Sequence, residues 1–409
     1  MISSFRVKNY KALRDVELAL TPMHVLIGQN DTGKTSILEA LAALSRSADH
    51  YLNGCFPGRW KGDELLWHGP DGSAKELTLE ASFKKSGIDY SLVCAFDPDP
   101  HRNVMRMRES FSGSQYHEPD KKALFSRLCE GSATSTLVCR RRHKKLPAEF
   151  SEMLPAEFSE MLNAVLDELS GVAVHRWWPQ HLAIPNARWP HEPFTLEASG
   201  FGLAHCLEDI LGEDRQRWDA IERRFCQFFP EMSKIKLKPE PGYLIANKDS
   251  GDSPEFKQGH GKGIWFLTKR GFEISASQVS DGMLLVLAYL AIVESPNPPR
   301  VLLVEEPENG IHPKRLKEVV SMLRELIDKQ DRTQVLMTTH SPYVLDLFKP
   351  EEVTLCRKDK DGAVSVQRLS DSKVVLEQNS VFTLGEIWTG EGDEALATPA
   401  ASPAEEKAS

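Results

Sequence analysis

Two glycines, a lysine and a threonine in one short run, Gly28, Gly33, Lys34 and Thr35 of GQNDTGKTS, have the types and spacing to hold a polyphosphate. In the pattern GxxxxGK[ST] the glycines let backbone N–H groups approach phosphate oxygens, Lys34 neutralises the β and γ phosphates, and Thr35 ligates Mg²⁺. The whole run, Gly28, Gln29, Asn30, Asp31, Thr32, Gly33, Lys34, Thr35 and Ser36, is expected to wrap ATP. Far downstream, VLLVEEPENGIHP ends an apolar run in two carboxylates. Glu305 is placed to hold the Mg²⁺ shell, and Glu306 to orient or deprotonate the attacking water, the task of a carboxylate just beyond a γ-phosphate. QVLMTTH closes on His340, read as a γ-phosphate contact at a strand end. Ser280, Asp281 and Gly282 form a polar turn ahead of an apolar helix, whose first N–H groups and Ser280 hydroxyl could meet a phosphate. Each has a plainer reading: acids that cap a strand, a structural histidine, a helix that is only core.

These groups act together only if the chain positions them. MHVLIG reads as a buried strand entering the glycine loop, and TSILEALAALSRS as the helix leaving it, the order a phosphate loop needs. FRVKNY and VELAL alternate as two short strands hinged at KALRD, and KELTLEASF and IDYSLVCAF pair around a KKSG turn. FGLAHCLEDIL and DRQRWDAIERRFCQFF carry apolar residues at helical spacing, after which IWFLTKRGFEISASQV returns to strand. The eight residues LPAEFSEM at 146–153 repeat at once at 154–161, read as a tandem slip in a tolerant segment, since solenoids use longer periods and more copies.

With 409 residues the chain can bury one large core or two ordinary ones. A hydrophobic share of 41% and a charged share of 27% exclude collagen-like and wholly disordered classes. Net charge of −9 argues against a broad positive face that coats nucleic acid, so DNA contact must be argued locally. CRRRHKK at 139–145 and HRWWPQ at 175–180 have the arginines and aromatics for it; the plainer reading is a solvated loop and two core tryptophans. The cysteines Cys55, Cys94, Cys129, Cys139, Cys206, Cys226 and Cys356 are scattered and never form CxxC, so they read as reduced thiols. The start lacks a signal-peptide core, and no apolar run approaches the roughly 20 residues of a membrane span, so a cytoplasmic location without a membrane partner is expected.

Taken in order, GQNDTGKTS, VSDGM, VLLVEEPE and MTTHS resemble the Walker A, signature, Walker B and switch-histidine motifs of ABC-type ATPases. FRVKNYKAL, ENGIHP and FTLGEIWTG make the resemblance closer to RecF-like and OLD-like heads, over roughly 1–130 and 200–390. That implies an α/β P-loop NTPase of ABC head type: a mixed central sheet with helices on both faces, a small antiparallel β subdomain and an inserted, mainly helical lobe. We place the N-terminal head part at 1–120, the lobe at 121–231, the C-terminal head part at 232–388 and a disordered tail at 389–409. In this family two heads sandwich two ATP molecules, so the resemblance implies a homodimer or higher even oligomer. Lys34 and Thr35 would then serve phosphate and Mg²⁺, Glu306 the base, His340 the switch, and Ser280, Asp281 and Gly282 the partner's nucleotide in trans. Asn309 and His312 would lie in the loop that crosses the interface.

Three positions depart from the family. Asp281 stands where many relatives have glycine, Glu305 where Walker B has aspartate, and no glutamine marks a Q-loop, the nearest segment offering His68. OLD-type nucleases also carry a Toprim domain with metal-binding acids. Here only about seventy residues follow His340, with Asp359, Asp361 and Asp371 in a strand, turn and strand, so nuclease chemistry is expected from a separate protein. The reading is therefore an ATP-driven dimeric switch in anti-phage defence or DNA repair that controls a separate nuclease or toxin effector, or double-stranded DNA. The alternative is an ATP-dependent scaffold or sensor that holds a toxic partner with little turnover.

Overall fold

The computed structural model describes residues 1–48, 55–56, 62–70, 72–95, 106–113, 156–187, 196–245, 256–330 and 333–400. In chain order the elements are β1 (Ile2–Tyr10), β2 (Leu13–Ala19), β3 (Met23–Ile27), α1 (Lys34–Arg46), β4 (His68–Gly69), β5 (Gly72–Ser73), β6 (Glu76–Phe83), β7 (Ile88–Ala95) and β8 (Arg106–Gly113). There follow α2 (Ala156–Leu169), β9 (Val172–His175), α3 (Pro179–Leu182), β10 (Asn186–Ala187), α4 (Leu203–Glu213), α5 (Arg215–Phe228), β11 (Met232–Ile245), β12 (Phe256–Thr268), β13 (Glu273–Ser275) and α6 (Asp281–Val293). Last come β14 (Val301–Glu305), α7 (Pro313–Lys329), β15 (Gln334–Thr338), α8 (Pro342–Leu345), β16 (Val353–Lys358), β17 (Val364–Arg368), α9 (Lys373–Gln378) and α10 (Leu384–Leu396). They form two compact units, one of Met1–Val172 with Gln334–Ser409, the other of Ala173–Thr333.

In the first unit β2, β1, β6, β7 and β8 make an antiparallel sheet in that order. Strict alternation in ELTLEASF buries Leu77, Leu79, Ala81 and Phe83 on one face, as expected of a sheet with one covered side. β3 behaves differently: all five residues of MHVLI are buried, because it lies between parallel β15 and parallel β16. β17 closes that edge antiparallel to β16.

In the second unit, β11 and β12 form a long hairpin with β10 and β13 at its sides. Its inner face buries Ile235, Ile264 and Phe266, and Phe225 of α5 stacks on Phe266 with ring centroids 5.1 Å apart. α6 is buried at every position from Met283 to Val293, the mark of a helix wholly inside a core.

Two boundaries drawn from sequence need correction. The lobe does not end at 231: α5 packs on the hairpin that follows it, whereas α2 belongs to the first unit, where the Ser45 hydroxyl donates to the Leu169 carbonyl at 2.6 Å. The tail does not begin at 389. Thr383 caps α10 in a capping box, Leu396 is fully buried, and the backbone beyond it docks through Lys373 N–H to Thr398 O at 3.0 Å and Ala400 N–H to Asp371 O at 2.9 Å. The Ala, Pro, Glu and Ser content and the near absence of large apolar residues suggested disorder, but a few apolar anchors suffice to hold the segment as far as residue 400. The repeat falls mostly outside the described residues; its second copy enters α2. CRRRHKK lies outside them altogether.

Candidate functional site

The glycine loop sits where a buried strand meets a helix. Gly28 has φ 136°, and a Cβ there would lie 2.2 Å from the Cys356 carbonyl oxygen, so no larger residue fits. Gly33 has φ 82°, and its Cβ would lie 2.6 Å from a methyl of Val364. Both glycines are thus demanded from behind by the β16–β17 hairpin as well as by any phosphate in front. That hairpin turns at Asp359, whose carboxylate accepts the N–H of Asp361 at 2.9 Å and of Ala363 at 2.8 Å. Its buried Cys356 thiol is pushed up to about 12 by desolvation, so it stays protonated and inert.

Lys34 is buried, with its ammonium donating to the carbonyls of Gly28 at 2.9 Å and Gln29 at 2.6 Å. A buried cation needs such partners, and here they hold the charge inside the loop. α1 begins at Lys34 without a side-chain cap and with no acidic residue in its first turn. Its unsatisfied N–H groups and positive dipole end therefore face whatever the loop holds. Thr35 and Ser36 are half-buried in that turn. Thr338 pairs opposite Leu26 and Thr339 N–H donates to Leu26 O at 3.1 Å, so His340 and Gly28 leave the same sheet edge two residues later. His68 does not join them; it is tied within the β4–β5 turn to Ser73 at 2.6 Å and to the Asp63 carbonyl at 3.1 Å.

The second unit carries the acids and the polar turn. β14 buries Val301 to Val304 and delivers Glu305, whose side chain is 10% exposed and meets Arg176 Nε at 3.5 Å. Glu306 follows with φ 45°, a conformation that few non-glycine residues adopt. Asn309 Nδ2 donates to the Glu306 carboxylate at 2.7 Å, and Asn309 N–H donates to the Glu306 carbonyl at 3.0 Å. His312 caps α7, its Nδ1 accepting Lys314 N–H at 3.3 Å. Ser280 is exposed at the start of α6 with its hydroxyl making no capping bond, and Asp281 is exposed beside it. Gly282 lies so close to the Gly310 carbonyl that a Cβ would approach to 2.9 Å, which ties the polar turn to the ENGIHP loop.

Sequence reading missed Arg176 as a partner of Glu305. The run HRWWPQ divides its roles: Trp177 packs edge-on against Tyr289 of α6 at 4.7 Å and donates Nε1–H to His175, whereas Trp178 is exposed. Burial holds His175 at about 3, hence neutral.

The residues fit a magnesium nucleotide. A loop with no room for side chains at two positions, a buried ammonium and an open helix start suit a polyphosphate. Among the described residues no three His, Cys, Asp or Glu side chains gather to cage a metal. Mg²⁺ bound with a nucleotide takes one or two protein oxygens and completes its shell with phosphate and water, so it needs no such cage. Among the described residues no helix is long and apolar enough to cross a membrane.

Comparison with known proteins agrees. Residues 1–169 match the family described as "AAA ATPase domain", and residues 180–346 that described as "AAA domain, putative AbiEii toxin, Type IV TA system". The OLD nuclease of Thermus scotoductus is 35% identical over 407 residues, covering 94% of this chain and 68% of that protein. Among solved structures, an Smc head bound to the C-terminal winged-helix domain of ScpA superposes with a TM-score of 0.53 at 14% identity, covering 90% of this chain and 98% of that one, which shows the fold. The chain belongs to the OLD-like family of P-loop ATPases, with the α/β head fold of the SMC and RecF type.

Proposed function

We propose that the chain is an ATP-hydrolysing switch that works as a homodimer or higher even oligomer, in anti-phage defence or DNA repair, and controls a separate nuclease or toxin effector. The observation that carries the ATPase reading is Lys34, buried and bonded to Gly28 and Gln29 carbonyls inside a loop that admits no side chain at Gly28. When bound, Mg²⁺ supplies charge neutralisation at the β and γ phosphates. Lys34 holds those phosphates, Thr35 and Glu305 hold the metal, and Glu306, oriented by Asn309, accepts a proton from the attacking water. His340 reports the γ-phosphate at the sheet edge. Ser280, Asp281 and Gly282 serve the partner's nucleotide, with Asp281 weakening that contact relative to a glycine.

The defence setting draws on the toxin and toxin–antitoxin wording of the matched family and on the OLD relative. A protein effector is supported by the exposed side chains of Tyr343, Leu376, Val381 and Phe382 in the first unit.

The test is ATP hydrolysis by the purified protein, alone and with double-stranded DNA, beside Lys34→Ala and Glu306→Gln. Loss of turnover in both variants supports the enzyme, and stimulation by DNA supports DNA as a trigger. ATP binding and ATP-dependent dimerisation without turnover would reject it in favour of a scaffold. In an effector assay, Glu306→Gln should abolish the output of a turnover machine and preserve that of an ATP-held clamp.

A further inference from the structure

The phosphate loop contains its own opposing charge. Asp31 lies between Gly28 and Lys34, so its carboxylate cancels the lysine in the side-chain charge of GQNDTGKTS, a poor start for binding a polyanion. It also has φ 65°, a conformation that aspartate tolerates better than most residues but does not prefer. Lys358, the last residue of β16, donates from its ammonium to the Asp31 carboxylate at 2.6 Å.

Three contacts put Lys358 at the level of the loop. β16 runs parallel to β3 with Leu355 opposite Ile27; the Cys356 carbonyl then abuts Gly28, and Val364 across the hairpin abuts Gly33. Lys358 lies between these two contacts along the hairpin, and Asp31 between the two glycines along the loop. Asp31 is exposed and Lys358 half-covered, so as a stabilising ion pair this contact is worth little. Its worth lies in what it does to the charge of the loop.

We propose that Lys358 is a positioning residue for ATP: by pairing with Asp31 it removes an uncompensated carboxylate from the phosphate loop and restores a net positive charge there. The inference rests on the nucleotide-binding reading of that loop. A carboxylate within several ångströms of a triphosphate, in partly solvated surroundings, is expected to weaken binding about three- to ten-fold when its partner is removed, and less at high salt.

The experiment measures the dissociation constant of a fluorescent ATP analogue with Mg²⁺ on the full chain, at low and high salt. Lys358→Ala should weaken binding about three- to ten-fold at low salt, with the gap closing at high salt. Lys358→Arg should stay near wild type, and Asp31→Asn combined with Lys358→Ala should return to it, a rescue that a structural role for Lys358 would not give. If Lys358→Ala folds poorly, Asp31→Asn alone decides, because it leaves Lys358 unopposed and should tighten ATP. Unchanged binding in Lys358→Ala, a double variant as weak as that single, or weaker binding in Asp31→Asn overturns the proposal. A wild-type chain that binds no ATP overturns the nucleotide reading with it; one that binds ATP equally with and without Lys358 overturns this inference alone.

Discussion

Gly33→Ala tests whether the hairpin behind the loop dictates the loop's sequence. Two penalties add. Alanine at φ 82° pays for a left-handed backbone, about 1–2 kcal/mol. The new Cβ also lies 2.6 Å from Val364 Cγ2 and 3.1 Å from Leu13 Cδ2, and overpacking of that kind costs about 1–3 kcal/mol. Val364 is β-branched and buried on a strand, so it cannot rotate clear without strain. The sum, about 2–5 kcal/mol, should appear as roughly 30- to 5000-fold faster amide exchange in the loop and the first turn of α1, including Ile37 N–H, which bonds to Gly33 O. Truncating Val364 to alanine removes both methyls from the clash. In that background Gly33→Ala should cost the backbone part and only the milder Leu13 contact, leaving a coupling of about 1–3 kcal/mol between the two sites. Measured without nucleotide, the effect owes nothing to phosphate binding. Costs that add to within about 0.5 kcal/mol would refute the claim that Val364 constrains Gly33.

Other expectations can be checked on the same protein. His24 is buried between Thr21 and Thr354, and burial holds it at about 3 against 6.5 when unfolded, so the unfolded chain binds the extra proton. Stability of the first unit is therefore full above about pH 6.5 and falls by up to about 1.4 kcal/mol per pH unit toward pH 3; a level urea midpoint from neutral to pH 5 would contradict this. His175 acts in the same direction in the second unit. Arg176→Ala frees Glu305 of a neighbouring cation and should lower the Mg²⁺ concentration for half-maximal ATPase activity, and an unchanged Mg²⁺ curve would dismiss the contact. Leu396→Ala should cost about 2–4 kcal/mol in unfolding free energy; no loss would mean that the end of the chain is not docked. Chelation of Mg²⁺ should stop turnover, and hydrolysis that survives it would exclude the assignment of Thr35 and Glu305 to the metal.

Local signals carried much of this architecture. A short, mostly apolar run, MHVLI, followed by Gly28 and a helix identifies β3, the loop and α1, and alternation identifies β6 and β7, because both patterns follow from which faces are buried. The contacts that shape the site were not legible. Asp359 and Gly362 announce a turn, but nothing in the sequence says that its hairpin packs on a loop more than 320 residues earlier. Arg176 lay in a run read for contact with nucleic acid, and its pairing with Glu305 depends on where the chain goes after β9. The tail misled because composition averages over residues, whereas docking depends on Leu384, Ile387 and Leu396.

Backbone conformation adds an argument that composition cannot supply. Among the described residues four that are not glycine have positive φ: Asn9, Lys11, Asp31 and Glu306. Lys11 opens the two-residue turn between β1 and β2, and a tight hairpin of that kind asks for such an angle, while Asn9 lies next to it near the end of β1. Asp31 and Glu306 follow buried strands in the two segments that the sequence singled out for phosphate and water chemistry, where no hairpin requires them. Strain of that sort persists only when surrounding groups hold it, and each has a holder: Lys358 on the Asp31 carboxylate, Asn309 on the side chain and carbonyl of Glu306. If the strain serves catalysis, replacing Asn309 by alanine should lower the turnover number while leaving the ATP dissociation constant unchanged, because the role proposed for Glu306 is toward water and not phosphate. Equal losses in both would make Asn309 a structural support for the loop and nothing more.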